Sequence, residues 1–193
     1  MIQAVRRAVV FVFASAVALA LLSFPLSAQT NGSPERFTAV AVNTDRGGTT
    51  QVEIAIDRWS TLAERSRLMT TLREKGPEKL LDVLRAMPKV GFIRRTTSIG
   101  WDLRYAVRDA LPDGGERVIV ATDRPVSEWE AFHQPPTVDY PFTVIELHIN
   151  ANGEGEGKMS YATRVTADAE SNTVVLENWG ISPVLLQGVH RER

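Results

Sequence analysis

The chain has 193 residues, of which 22 are basic and 23 acidic, with three histidines and no cysteine. That length is typical of a single domain with a sizeable core, and the absence of cysteine excludes disulfides, thiolate metal sites and thiol redox chemistry. Charges of both signs are interspersed without a basic face, so we expect no nucleic-acid partner.

The N-terminal residues have the pattern of a secretory signal. Arg6 and Arg7 precede an apolar run over residues 8–24, and no further charge occurs before Glu35. A basic start, an apolar stretch and a small-residue exit are typical of exported chains. The sequence therefore predicts a signal peptide over residues 1–28, cleaved after Ala28, and a periplasmic or secreted protein. Two alternatives stay open: a twin-arginine signal, and an uncleaved membrane anchor. We expect an association with the membrane only if the signal is not cleaved.

The remaining chain is predicted to have a flexible leader over residues 29–36 and a single domain over residues 37–193. Residues 37–43 have a strand-like composition, and residues 49–56 alternate apolar and polar side chains after a turn that ends in Gly47 and Gly48, which indicates a β-hairpin. Thr61 and Glu64 fit a capping box at the start of a helix.

Gly76 and Pro77 follow an apolar helical stripe. A glycine often ends a helix and a proline often begins one, so this pair predicts that one helix stops and a second starts. The second is predicted to run until Pro88. We expect the apolar stripes of both helices to pack against the core.

After Pro88 the chain returns to strand patterns over residues 101–108, 117–122, 142–149, 158–167, 173–179 and 184–190. Proline-rich residues 123–141 are predicted to form a long irregular connection, with a short helical turn near residues 127–132. The short links elsewhere favour antiparallel pairing. The predicted fold class is α+β: a curved antiparallel β-sheet or partly open barrel of about seven to nine strands, with a two-helix insertion after the first hairpin.

Candidate ligand-binding residues fall in two places. Trp101 and Tyr105 are expected to share one strand face, where they would line a cavity for an apolar ligand beside Arg104. Glu146 and His148 are two apart on a strand and therefore point to one face. The simpler interpretation is that the aromatic residues pack in the core and that Glu146 and His148 lie at a hydrated end of the sheet.

Two groups in the long connection, His133 and Asp139, could complete an acid–base or metal site with the Glu146 and His148 pair. The large aromatics Trp129, Tyr140 and Trp179 are expected to join the core or a cavity.

The glycine-rich stretch from Asn150 to Gly157 imitates known motifs without matching them. A phosphate-binding loop requires Gly-Lys-Ser/Thr at the start of a helix, whereas Lys158 is followed by Met159 between strands. A calcium loop requires a glutamate at its twelfth position, where this chain has Tyr161. A hairpin turn is the interpretation we keep, and we expect no cofactor and no metal site.

Several segments are similar to those of a group of exported bacterial proteins without an assigned activity. They are Glu74-Lys-Gly-Pro77, Gly100-Trp-Asp-Leu-Arg-Tyr105, Ala121-Thr-Asp-Arg-Pro125, Asp139-Tyr-Pro-Phe-Thr143 and Gly155-Glu-Gly-Lys158. The resemblance implies one domain located in the cell envelope. It implies no catalytic residues.

Three hypotheses for the function follow. The first is a non-enzymatic domain that binds a small apolar ligand or an envelope protein. The second is an exported hydrolase that uses Asp, Glu or His. The third is a structural envelope protein whose exposed β edge pairs with a partner. No serine hydrolase motif supports the second hypothesis.

Overall fold

The computed structural model describes residues 33–43, 47–96, 98–124, 126, 141–168, 173–178 and 182–192. The bounds of its elements are β1 Glu35–Val42, β2 Thr49–Ile56, α1 Leu62–Ala86, β3 Gly91–Arg95, β4 Trp101–Leu103, β5 Tyr105–Ala110, β6 Glu116–Thr122, β7 Phe142–Ile149, β8 Glu154–Asp168, β9 Thr173–Asn178 and β10 Val184–Glu192. The predicted signal peptide and the helical turn near residues 127–132 lie outside the described residues.

All ten strands belong to one sheet, in the order β4-β3-β2-β1-β10-β8-β7-β6-β5, with β9 paired to β8 off this path. Every pair is antiparallel, which confirms the predicted antiparallel sheet. The two strands at the ends of this path, β4 and β5, are separated along the chain only by Arg104. The sheet therefore curls until a single chain segment borders both of its ends.

The main core lies within this curl. Alternate residues of the strands along this path point inward, as Phe37 and Ala39 do in β1 and Ile54 does in β2. Ile145 and Leu147 of β7 are fully buried in the same cluster. The period of two along each strand sends the intervening side chains to the outer face, and the sequence pattern therefore determines which side of each strand is buried.

Gly155 allows β7 and β8 to approach closely. A Cβ at this position would lie 1.8 Å from the carbonyl oxygen of His148, a backbone atom that cannot rotate away. Gly157 is restricted in the same way, with 2.6 Å to the carbonyl oxygen of Glu146. Glycines at strand positions mark such approaches of one backbone to another. The glycine-rich stretch thus contributes to the close pairing of β7 and β8 as well as to the turn.

The helix α1 begins at a complete capping box. The Thr61 hydroxyl accepts a hydrogen bond from the amide of Glu64 at 3.2 Å, and the Glu64 carboxylate accepts one from the amide of Thr61 at 2.8 Å. Nη1 and Nη2 of Arg58 each donate to the same carboxylate at 3.0 Å. This predicted cap is confirmed, and the arginine adds a charged partner to it.

A second apolar cluster lies between α1 and the outer face of the sheet. Leu68 and Leu72 come from the first part of the helix, and Leu80 and Leu84 from the part after Gly76. They pack against Phe142 and Val144 of β7, with Tyr105, Ile119, Ala121, Val165 and Ala167 at the margin. The helix therefore covers strands β5 to β8 from outside.

The predicted α+β class with a two-helix insertion is wrong. The described residues form ten strands and one helix, which is nearer to an all-β protein. Gly76 has a non-helical φ of 79° and Pro77 follows it, so the helix bends there. The two helical parts on either side of this kink pack against one apolar surface. The sequence pattern also did not distinguish β3, which is a separate strand before β4.

Candidate functional site

The two aromatics proposed to line a ligand cavity lie on opposite faces of the sheet. Trp101 packs against the main core with Leu103, whereas Tyr105 belongs to the cluster under the helix. The strand pattern is interrupted at Arg104, between β4 and β5, and Ala106 becomes the inward residue after it. One added residue reverses the side of every residue that follows. The prediction that Trp101 and Tyr105 share a face is therefore wrong.

Arg104 joins the end of the helix to β4 and to Asp123, the residue that follows β6. Its Nη1 donates to the carbonyl oxygen of Met87 at 3.2 Å, and its Nη2 lies 3.7 Å from Asp102. Its Nε lies 3.8 Å from the carboxylate of Asp123, a residue that is 6% exposed. A hydrogen bond from Lys89 holds the pKa of Asp102 below its ordinary value. The positive charges of Arg104 and a neighbouring arginine lower this pKa further. These contacts give Arg104 a structural role at this junction.

Tyr105 is held in the apolar cluster under α1. Burial raises the pKa of its hydroxyl above the ordinary value, and the nearby charge of Arg65 opposes that shift. An ionised phenolate is disfavoured there because the surroundings are apolar. Tyr105 is therefore neutral at physiological pH and acts as a packing residue between sheet and helix.

Glu146 and His148 do share the outer face of β7. His148 Nε2 lies 2.9 Å from Glu146 Oε1, and both side chains are well exposed. In the sheet register Glu146 stands beside Lys158, and His148 beside Arg117. The described residues hold no cluster of three or more His, Asp or Glu that would bind a metal ion. The pair thus lies in a row of exposed charges on the sheet surface.

The remaining candidates do not join this pair within the described chain. His133, Asp139, Trp129, Tyr140 and Trp179 lie outside the described residues. His190, on β10, is exposed and pairs with Thr38 and Glu154 in the register. The described strands place one further acid beside this pair, Glu156 of β8, which stands opposite His148 in the register.

A feature that the sequence did not single out is the ribbon formed by β9 and the second half of β8. The first half of β8 pairs with β7 on one side and β10 on the other. Beyond Thr163 its partner is β9, with Val165 opposite Leu176 and Ala167 opposite Val174. Across the described strands, β9 pairs with β8 alone. Its outer backbone edge is therefore a free edge among them.

Three consecutive apolar residues are exposed on this edge strand. Val174, Val175 and Leu176 are 42%, 44% and 41% exposed, and they make up half of the exposed large hydrophobic residues of the described chain. Residues opposite one another in an antiparallel pair point to the same face. Val174 and Leu176 therefore continue the helix-side surface that Val165 and Ala167 form.

The sequence contained a partial signal for this edge. A run of three apolar residues inside a six-residue strand is typical of a strand that is buried on both faces. Native edge strands usually carry a lysine, a proline or a bulge that discourages pairing, and Val174, Val175 and Leu176 provide none of these. Whether such a run is buried or exposed depends on its neighbours in space, which the pattern alone does not specify.

The comparisons with known proteins returned no match: no family model, no curated protein and no solved structure is similar to this chain at a significant level. Within the described residues no helix has the length and apolar character needed to cross a bilayer.

Proposed function

We propose that this chain is an exported, non-enzymatic binding domain that holds an envelope protein by the free edge of β9. The observation that carries the proposal is the exposure of Val174, Val175 and Leu176 on a strand with one described partner. The signal-like pattern of residues 1–28 supports the exported location. The resemblance to exported bacterial proteins agrees with it.

Two physical terms favour a protein strand as the occupant of this edge. The outer N–H and C=O groups of β9 lack strand partners among the described residues and can pair with an added strand, while the apolar side chains leave water at the same time. In such strand addition, main-chain hydrogen bonds supply affinity and side-chain contacts supply specificity. An extended partner segment with apolar side chains meets both requirements.

The small-ligand form of the first hypothesis and the hydrolase hypothesis lack a comparable observation. A cavity for a small apolar ligand required Trp101 and Tyr105 on one face, and they lie in different clusters. A hydrolase requires acid and base groups around one reacting atom, whereas Glu146 and His148, with Glu156 opposite His148, stand on an exposed face of the sheet. The β9 edge is the surface that we retain.

Site-specific photo-crosslinking in living cells tests the proposal. A photoreactive benzoyl-phenylalanine replaces Val175 in the full chain, expressed with its own N-terminal segment at its natural level. The matched control has the same replacement at Val40, which is 43% exposed on β1, a strand paired on both sides. We expect protein adducts from position 175 and few from position 40. Equal labelling at both positions, or none at 175, would overturn the proposal.

A further inference from the structure

Resting on the proposed function, we infer that the partner at the β9 edge is a second copy of this chain, paired antiparallel with its own β9 about a two-fold axis at Val175. Closed two-fold dimers are the commonest oligomers of soluble proteins, and such an axis brings the same surface of both subunits together. Two free β9 edges can therefore pair with each other directly, and no other segment of either chain is needed. The sequence of β9 decides whether that pairing is self-complementary.

A two-fold axis perpendicular to the sheet keeps each face on the same side of the joined ribbon. Opposite residues must then belong to the same face, and this restricts the registers that are allowed. With the axis at Val175, Val174 stands opposite Leu176 of the partner subunit, and Val175 stands opposite Val175 of the partner subunit. All three exposed apolar residues of each strand therefore meet an apolar residue.

The neighbouring registers are less complementary. An axis at Leu176 would place Val175 opposite the partner's Glu177, and an axis at Val174 would place Val175 opposite the partner's Thr173. A parallel in-register pair would bring Glu177 beside the partner's Glu177, and like charges directly opposite one another are destabilising. With the axis at Val175, Glu177 stands opposite the partner's Thr173. Its register partner on β8 is Arg164, a residue of opposite charge.

The same register continues an apolar surface across the axis. Val174 and Leu176 extend the helix-side surface of Val165 and Ala167 to the edge of the ribbon. In the dimer this apolar surface is continuous over four strands, β8 and β9 of each subunit. A six-residue strand buries less area than the roughly 800 Å² per partner of a standard interface. We therefore expect a reversible dimer with a dissociation constant on the order of micromolar.

Cysteine scanning tests the register directly, because the chain contains no cysteine of its own. Directly opposite residues of an antiparallel pair have Cα atoms about 4.5–5.5 Å apart, which is within the range that a disulfide spans. Val175→Cys is therefore expected to form a covalent dimer under mild oxidation. Val174→Cys faces position 176 and Val40→Cys lies on a paired strand, so both are expected to cross-link at least about tenfold more slowly. Equal rates for the three variants would overturn the inference.

Sedimentation velocity supplies the second measurement, on the chain purified after expression with its own N-terminal segment. We expect a concentration-dependent dimer that Val175→Lys weakens at least about tenfold, because two lysines then face each other. Val40→Lys, the matched control of similar exposure, is expected to leave the dimer unchanged. A dimer weakened equally by both substitutions, or a monomer at all concentrations, would overturn the inference.

The two proposals fail in different ways. Photo-adducts at position 175 with a different protein, together with a monomeric chain, would refute self-pairing and leave the binding role of β9 in place. Adducts that consist of two copies of this chain, together with the Val175→Cys disulfide, would support both. The absence of adducts and of dimer would refute both.

Discussion

Gly155→Ala is the substitution with the most direct consequence for the fold. The new Cβ would lie 1.8 Å from the carbonyl oxygen of His148, whereas carbon–oxygen contacts in sheets lie near about 3.3 Å. The two backbones would have to separate by roughly 1.5 Å at this point. Gly155 pairs with Ile149 on β7 and with Val189 on β10, so the displacement disturbs both ladders.

The expected loss of stability follows from these contacts. Overpacking a close contact costs about 1–3 kcal/mol, and each backbone hydrogen bond that is lengthened beyond use costs about 1 kcal/mol more. We therefore expect Gly155→Ala to lower the free energy of unfolding by about 3 kcal/mol. The measurement is equilibrium urea unfolding of the full chain, followed by circular dichroism.

Gly114→Ala is the matched control. Gly114 has φ of 82° in the turn before β6, and a Cβ there would meet no atom within 4 Å. Its substitution therefore costs only the left-handed backbone strain of about 1–2 kcal/mol. If Gly155→Ala proves no more destabilising than Gly114→Ala, the close approach of β7 and β8 does not exist in solution and the account of Gly155 is refuted.

Three further predictions concern the helix and its contacts. Leu84→Ala, in the cluster beneath α1, is expected to lower the free energy of unfolding by about 2–4 kcal/mol in urea. Leu62→Ala, at a residue that is 63% exposed, should change it by less than about 0.5 kcal/mol. Equal losses for the two variants would contradict the packing of the helix. The hydrogen bond from Arg58 holds the pKa of Glu64 below its ordinary value of 4.5, so this stabilisation is present at neutral pH and is lost as the pH falls below about 4.5 through the folded pKa. Glu64→Gln should accordingly be less stable than the natural chain at about pH 7 and closer to it at about pH 3, and a constant difference across that range would refute the pairing. Burial raises the pKa of Tyr105, so stability should fall as the pH rises above about 10. Tyr105→Phe should reduce that fall and remove from an absorbance titration a step that lies above about 10.

At the candidate site, the strand pattern predicted one pair of neighbouring side chains correctly and another pair wrongly. The pairing of Glu146 with His148 on one face follows from the period of two along a strand, and the structure places the two side chains 2.9 Å apart. The same rule failed for Trp101 and Tyr105 because the strand changes phase at Arg104. That change depends on Arg104 bonding to Met87 and lying near Asp123, contacts between residues far apart in the chain.

The sequence by itself determined the local features: the strands β2 and β7, whose predicted bounds match, and the capping box of Thr61 and Glu64. Each depends on residues within a few positions of one another, so the chain specifies it without reference to distant partners. The tertiary structure decided the single bent helix, the close approach at Gly155 and the exposure of β9. These features depend on which distant backbone or apolar surface lies alongside, and burial of a segment is a property of its neighbours in space.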